Sequence, residues 1–216
     1  MADEQPLFLQ QTLAGFLDGL AGIGPAPGGV STAAIAGALA SALIGKVATV
    51  TLRRKLNAAS EAEMTALRGR AAELQAHLAR LAHRDAHAYS QLLAAYHLPQ
   101  STVAERTWRL EAVQHALRAA VETPIATSEA CLQVLELAAQ ATRVGARVVT
   151  SDALVAARLA HAGTLGAVDG ALANLSSIRD AGFRAETTSR LRAASAACDE
   201  ALAAAVAAAS QACKGI

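Results

Sequence analysis

Residues 30–52 read VSTAAIAGALASALIGKVATVTL, a stretch in which Lys46 is the only charged residue. Alanine, glycine, serine and threonine outnumber the larger apolar side chains, and small residues let neighbouring backbones approach closely. The stretch is long enough to span a membrane. However, a lysine is costly in lipid, and leucine and isoleucine are few. It therefore predicts a buried helix at the centre of a bundle or at a dimer seam, in a protein without a membrane segment.

The composition of the 216 residues favours helices throughout. Hydrophobic residues make up 53% of the chain and aromatic residues only 3%, so the apolar content is mostly alanine and leucine. The formal charge of +1 argues against a nucleic-acid partner. Three scattered cysteines without a Cys-x-x-Cys pair, and an acidic start without a secretory signal, indicate a cytoplasmic protein with reduced thiols.

Apolar spacing, capping residues and prolines divide the chain into about seven helices. Ser60 and Thr102 are each followed three residues later by glutamate, which is typical of a capping box at a helix start. Pro124 after Thr123 indicates the first turn of a new helix. We therefore predict an all-α, single-domain bundle over residues 1–216, with helices near 6–20, 30–54, 60–98, 102–122, 124–144, 151–178 and 180–214.

One acidic side chain lies on an apolar helix face. Asp85 follows Leu81 by four residues, with Leu78 and Leu74 one and two turns before Leu81, so it points toward other helices. Loss of solvation raises the pKa of a carboxyl, and such a group can act as a general acid near neutral pH. The alternative is that Asp85 pairs with a basic residue and only fixes helix register.

Two further features offer less specific signals. The loop at residues 25–31 contains Gly28 and Gly29 before a helix, where backbone N–H groups can approach an anion, but an ordinary turn with Ser31 as N-cap fits as well. Lys46, on an apolar face, either extends to the rim of the bundle or meets a buried anion such as Asp85.

Other candidate sites are poorly supported by the sequence. His83 and His87 have the i, i+4 spacing of two metal ligands, but the nearby Asp85 lies on a different face, so we expect no metal. Lys55 belongs to a run of three cations at the end of the second predicted helix, where the helix dipole favours positive charge. A binding patch for a polyanionic ligand is the functional alternative for this run.

Several short motifs, in this order and spacing, resemble a family of folate enzymes. They are residues 16–21 (FLDGLA), 25–29 (PAPGG), 33–39 (AAIAGAL), 85–89 (DAHAY) and 95–99 (AYHLP), followed by Ser151-Asp152 and Asn174-Leu175. The family comprises formiminotetrahydrofolate cyclodeaminase and the related methenyltetrahydrofolate cyclohydrolase of some bacteria. The resemblance extends from about residue 16 to about residue 183.

The resemblance implies a compact helical bundle that forms a homodimer, with the site near the subunit interface. It implies a tetrahydrofolate derivative as substrate and no metal or redox cofactor. Asp85 matches the family's catalytic aspartate. The positions expected to bind substrate are Pro27, Gly28, Gly29, Ser31, Lys46, Lys55, Asp152 and Asn174.

The chain also departs from the family pattern. Glycine is usual where Val30 stands, methionine where Lys46 stands, and asparagine where Ala146 and Gly170 stand. Three hypotheses follow: a folate one-carbon enzyme using Asp85 as general acid/base, a diverged member that binds another small molecule or a protein partner, and a helical scaffold. An open cleft that reaches Asp85 and the glycine loop would favour the enzyme.

Overall fold

The computed structural model describes residues 8–214, and the regular structure in that range is helical. The six α-helices are α1 (Leu13–Ala21), α2 (Gly29–Leu52), α3 (Ala58–Tyr96), α4 (Val103–Val144), α5 (Thr150–Leu175) and α6 (Ala181–Lys214). Short 3-10 turns, Phe8–Gln10 and Arg147–Val149, precede α1 and α5. The all-α prediction is confirmed, whereas the helix start predicted at Pro6 lies outside the described residues.

The prediction of seven helices is wrong by one, because α4 continues through Pro124. A proline in a helix has no N–H for the carbonyl four residues earlier, which here belongs to Ala120. The side-chain amide of Asn174, on α5, donates to that carbonyl over 2.9 Å. Thr123 is no cap, since its hydroxyl donates to the Ala119 carbonyl within the helix. A hydrogen bond from a neighbouring helix thus replaces the one that the proline removes.

The predicted start of α4 agrees with the structure, whereas the predicted start of α3 does not. The capping box at Thr102 is confirmed, because its hydroxyl accepts from the Glu105 N–H and the Glu105 carboxylate accepts from the Thr102 N–H. α3 begins earlier than predicted, because Asn57 is its N-cap and accepts from the N–H of Ser60 over 2.9 Å. Ser60 therefore lies in the first turn rather than at the cap.

α2 is the central helix of the bundle and packs against α3, α4 and α5. Glycines make these crossings close. A Cβ at Gly37 would lie 2.5 Å from the sulfur of Cys131 on α4, and one at Gly163 on α5 would lie 2.9 Å from both that sulfur and the Ala33 carbonyl oxygen. Either methyl would force the helices apart. The interpretation of this stretch as a buried bundle helix is confirmed.

By length and composition alone, α2 and residues Ala181–Gln211 of α6 could cross a membrane. α2 places eleven of its 24 residues in the interior of the bundle, so packing against three other helices accounts for its apolar character. The apolar content of α6 is mainly alanine, with Leu191, Cys198 and Ala205 buried against the rest of the bundle.

Candidate active site

An open cleft of about 410 Å³ lies where the start of α2, the middle of α3 and the C-terminal half of α5 meet. This volume is within the range of small-molecule sites. Four predicted site residues share its wall: Gly28, Gly29, Asp85 and Asn174. The remaining lining residues are Pro25, Ala26, Val30, Ala86, Tyr89, Gly166, Asp169, Gly170 and Ala173.

Asp85 is held in this wall by Ser31. The Ser31 hydroxyl donates to Asp85 Oδ2 over 2.7 Å and lies 3.2 Å from the carbonyl oxygen of Ala82. A hydroxyl has one proton to donate and two lone pairs. It can therefore donate to the ionised carboxylate, or accept from the protonated carboxyl while donating to Ala82. Ser31 is not the N-cap, since Gly28 takes that position, and its side chain is fully buried.

Burial raises the pKa of the Asp85 carboxyl above its ordinary value near 3.8. Hydrogen bonds from the hydroxyl and backbone N–H of Ser31 favour the ionised form and offset part of this effect. Within residues 8–211 no lysine, arginine or histidine pairs with Asp85. The predicted loss of solvation is confirmed, and a basic partner is not found in this range. Such a carboxyl exchanges protons closer to neutral pH than an exposed aspartate does.

The glycine loop opens toward the cleft. α2 begins with the hydrogen bond from the Thr32 N–H to the Gly28 carbonyl, so the N–H groups of its first turn have no partner in the helix. A Cβ at Gly28 or Gly29 would meet nothing within 4 Å. A ligand can therefore approach this backbone closely. Pro27, which follows a cis peptide bond, lies beside Gly19 of α1 and is not part of the lining.

Asn174 has a structural role in addition to its place in the cleft. Its Nδ2 is committed to the Ala120 carbonyl that Pro124 leaves free. The side-chain oxygen Oδ1 is the polar atom that remains for a ligand.

Three of the predicted binding residues lie away from the cleft. Lys46 pairs with Asp152 on α5, with Nζ···Oδ2 2.9 Å, and therefore does not meet Asp85, which settles the alternative that the sequence left open. Along α2, Lys46 is about 22 Å from Ser31 at 1.5 Å per residue. Lys55 is exposed in the segment between α2 and α3. The bundle thus places these three residues toward the opposite end of α2.

Two side chains of the cleft were not predicted as site residues. Tyr89 lies one turn after Asp85 on α3 and is 43% exposed, so its ring is available to a ligand. The i, i+4 spacing from Asp85 was the signal that could have identified it. Asp169 lines the margin of the cleft from α5 and is exposed; nothing in its sequence context indicates this.

Thiol and metal chemistry have little support in the described residues. Burial raises the pKa of the Cys131 thiol to about 12, so this group is a poor nucleophile. His83 packs edge-on against the ring of Phe8. Between residues 8 and 211 no three histidine, cysteine, aspartate or glutamate side chains are grouped as metal ligands.

Comparisons with known proteins bear on both the fold and the chemistry. The family model for formiminotransferase-cyclodeaminase matches residues 12–193. Methenyltetrahydrofolate cyclohydrolase of Methylorubrum extorquens is 33% identical over 84% of this chain and 87% of its own length. Formimidoyltransferase-cyclodeaminase of Mus musculus is 33% identical over 87% of this chain, which spans only 35% of the mouse protein.

A solved structure has a similar overall fold. Formiminotetrahydrofolate cyclodeaminase of Thermotoga maritima superimposes with a TM-score of 0.84, covering 94% of this chain and 98% of the other, at 26% identity. The family match extends over most of the six-helix bundle and includes each residue that lines the cleft. The resemblance seen in the sequence motifs is confirmed, and the chain belongs to the formiminotransferase-cyclodeaminase family.

Proposed function

We propose that this protein opens or closes the one-carbon bridge between N5 and N10 of tetrahydrofolate, with Asp85 carrying the proton. The observation that supports this most directly is the environment of Asp85, a partly buried carboxyl that is held by a neutral hydroxyl in the wall of a ligand-sized cleft. The activities by which the relatives are named supply the substrate class.

Hydrolysis of the methenyl form uses both protonation states of Asp85. The oxygen of a water molecule bonds to the bridging carbon while the carboxylate takes one of its protons. The bond between that carbon and N5 then breaks, the carboxyl returns the proton to N5, and the hydroxyl proton leaves to solvent. The product carries a formyl group on N10, and one proton is released.

Cyclodeamination uses the same two states in the same order. N10 bonds to the carbon of a formimino group on N5 and gives its proton to Asp85. The bond from that carbon to the formimino nitrogen then breaks, and the nitrogen takes the proton from Asp85 and leaves as ammonia. The raised pKa of Asp85 and the two-way hydrogen bonding of Ser31 suit both reactions. Neither route calls for a metal or a redox cofactor.

The cleft offers several groups for binding the pteridine ring. The free N–H groups at Gly28 and Gly29 and the Oδ1 of Asn174 supply polar contacts, and the ring of Tyr89 supplies a stacking surface. Lys46, Lys55 and Asp152, expected from the resemblance to bind substrate, would reach a bound folate only across a subunit interface.

The homodimer implied by the resemblance is assigned to the outer face of α2 and α5. Leu39 and Val155 are 56% and 49% exposed there, and Lys46 and Asp152 join the two helices on the same side. Covering these side chains with a second copy would remove apolar surface from water. Light scattering should give twice the chain mass for the wild type, and the single mass for a helical Leu39→Arg variant. A monomeric wild type would exclude this assignment.

The activity is tested with purified protein and two substrates in parallel. Loss of the 5,10-methenyltetrahydrofolate absorbance measures hydrolysis, and ammonia release from 5-formiminotetrahydrofolate measures cyclodeamination. We expect turnover of at least one substrate. We expect Asp85→Asn to lower kcat by about 10²- to 10⁴-fold, the usual contribution of a positioned acid/base. Inactivity of the wild type toward both substrates would exclude the proposal and favour a diverged, non-folate member.

A companion variant separates proton transfer from a loss of folding. Ser31→Ala removes a hydrogen bond that lowers the pKa of Asp85, so the pH limb that reports its ionisation should move to higher pH. Asp199→Asn makes the same chemical change as Asp85→Asn on α6, outside the cleft lining, and should keep kcat within about threefold. A fully active Asp85→Asn protein would remove Asp85 from the mechanism.

A further inference from the structure

The first turn of α2 is held from two sides by consecutive residues. Ser31 donates to Asp85 on α3, and Val30 lies against Gly170 on α5. A Cβ built at Gly170 would overlap the Cγ2 methyl of Val30 and lie 3.8 Å from its Cβ. The valine side chain therefore fills the space that any larger residue at position 170 would need.

Neither partner of this contact can move aside easily. A β-branched side chain in a helix has one strongly preferred χ1 rotamer, so Val30 cannot swing away without strain. α5 is held close to α2 at Gly163, where an added Cβ would lie only 2.9 Å from the Ala33 carbonyl oxygen. One turn before Gly170, by contrast, a Cβ at Gly166 would meet Ala33 Cβ at an ordinary 3.5 Å. Among the glycines of α5 that line the cleft, the tight fit is therefore at Gly170 and not at Gly166.

The contact gives the cleft an apolar wall beside its reacting carboxyl. Val30, Gly170 and Asp85 line the same space, and Val30 directly precedes the serine that touches Asp85. Neither Val30 nor Gly170 has a side-chain donor or acceptor, and the Ser31 hydroxyl is already engaged. Asp169 is exposed at the margin of the cleft and does not distinguish the candidate substrates by charge, because the one-carbon group is cationic in both.

The two candidate substrates differ at the one-carbon group, the part of the substrate that would react beside Asp85 and therefore next to this wall. The bridging carbon of the methenyl form presents a C–H, whereas the formimino group ends in a nitrogen that carries N–H donors. Asp85 can accept from one of these N–H groups, but a second N–H that loses water against Val30 and Gly170 finds no side-chain acceptor there. Such a donor is disfavoured, whereas a C–H incurs no such penalty.

We propose that the Val30–Gly170 pair makes the cleft selective for the bridged methenyl form of tetrahydrofolate over the open formimino form. This inference rests on the proposed function and specifies which one-carbon form the site accepts. It assigns a specificity-determining role to two residues that take no part in proton transfer.

The first test compares kcat/KM of the wild type for 5,10-methenyltetrahydrofolate and 5-formiminotetrahydrofolate. We expect a preference of about 10- to 100-fold for the methenyl form, the range in which an apolar pocket discriminates against one added polar group. Equal use of the two substrates, or a preference for the formimino form, would overturn the inference and leave the proposed function standing. Inactivity toward both would remove the proposed function itself.

The second test changes the polarity of the wall at nearly constant shape. Val30→Thr replaces a methyl by a hydroxyl, so we expect the preference for methenyl to fall by about fivefold or more. The change should come mainly from a lower KM for the formimino substrate. An unchanged ratio would show that Val30 does not set specificity.

The third test uses thermal unfolding to measure how closely Val30 packs against Gly170, independently of activity. Gly170→Ala should lower Tm by about 3–10 °C, and adding Val30→Ala should recover most of that loss. Gly166→Ala is the matched control, because it adds the same methyl to the same helix where there is room. Its Tm should equal or exceed that of the wild type, since glycine is unfavourable within a helix. Equal Tm values for Gly166→Ala and Gly170→Ala would contradict the contact on which the inference rests.

Discussion

Each end of α2 contacts an aspartate, through a neutral serine hydroxyl at one end and a charged lysine at the other. Near its start, the Ser31 hydroxyl donates to Asp85 over 2.7 Å, and no cation in the described range balances the charge. Near its far end, Lys46 pairs with Asp152 over 2.9 Å, and the lysine side chain is 57% exposed. Both carboxyls are partly buried. Burial raises the pKa of Asp85, and no neighbouring cation cancels that effect, whereas Lys46 holds Asp152 in an ion pair.

The same difference extends to the surroundings of each aspartate. Around the cleft, polar groups are satisfied by neutral donors, as in the hydrogen bond from Asn174 to the Ala120 carbonyl. An environment without fixed positive charge lets Asp85 change protonation state without breaking an ion pair. The following predictions test whether neutral hydrogen bonds stabilise the bundle around the cleft, at the start of α2, and whether an ion pair stabilises it near the far end of α2.

The largest effect on stability is expected at Asn174. Asn174→Ala leaves the Ala120 carbonyl in α4 without a donor, because Pro124 has no N–H to offer. We expect the free energy of unfolding to fall by about 1–3 kcal/mol, the cost of an unsatisfied buried polar group. Urea denaturation followed by circular dichroism measures this change.

Pro124→Ala provides the matched background for that measurement. An alanine at position 124 restores an N–H for the Ala120 carbonyl, so Asn174→Ala should cost less in this background than in the wild type. Equal costs in both backgrounds would mean that the Asn174 amide does not replace the hydrogen bond that the proline removes.

A smaller, pH-dependent effect is expected at Asp85. Because its pKa is raised in the folded protein, the carboxyl binds a proton more tightly there than in the unfolded chain. Stability from this group is fully present below the unfolded value near 3.8 and is lost as the pH rises through the raised folded value. Asp85→Asn should therefore raise Tm relative to the wild type at pH 7.5, and by less at pH 4.5. Thermal unfolding across that range measures the difference.

Asp152→Asn is the contrasting variant at the other end of α2. It breaks an ion pair with an exposed lysine, so it should lower the free energy of unfolding by at most about 1 kcal/mol, and by less in high salt. If Asp85→Asn and Asp152→Asn shift Tm in the same direction at pH 7.5, the proposed difference between the two ends is wrong.

The sequence predicted the helical class and the placement of Asp85 because both depend on local spacing. Helix formers, capping residues and an apolar stripe are properties of neighbouring residues, and they place a carboxyl on an inward face wherever the helix packs. The glycine loop was found for the same reason, since two glycines before a helix are visible as such.

The features that the sequence did not predict depend on contacts between residues far apart in the chain. Pro124 indicated a helix end, and only Asn174 on another helix shows why α4 continues. For Lys46 the sequence left two interpretations, extension to the rim of the bundle or contact with a buried anion such as Asp85. Its partner, Asp152, is 106 positions later in the numbering. Val30 and Gly170 were separate departures from a family pattern until the bundle brought them together.

The thiol of Cys131 lies where α2, α4 and α5 cross, between Gly37 and Gly163. Its S–H points at the Ala33 carbonyl, 3.8 Å away, and the side chain is fully enclosed. An alkylating reagent can reach this sulfur only when the crossing separates. The rate at which Cys131 is alkylated in the native protein would therefore report how often the centre of the bundle opens.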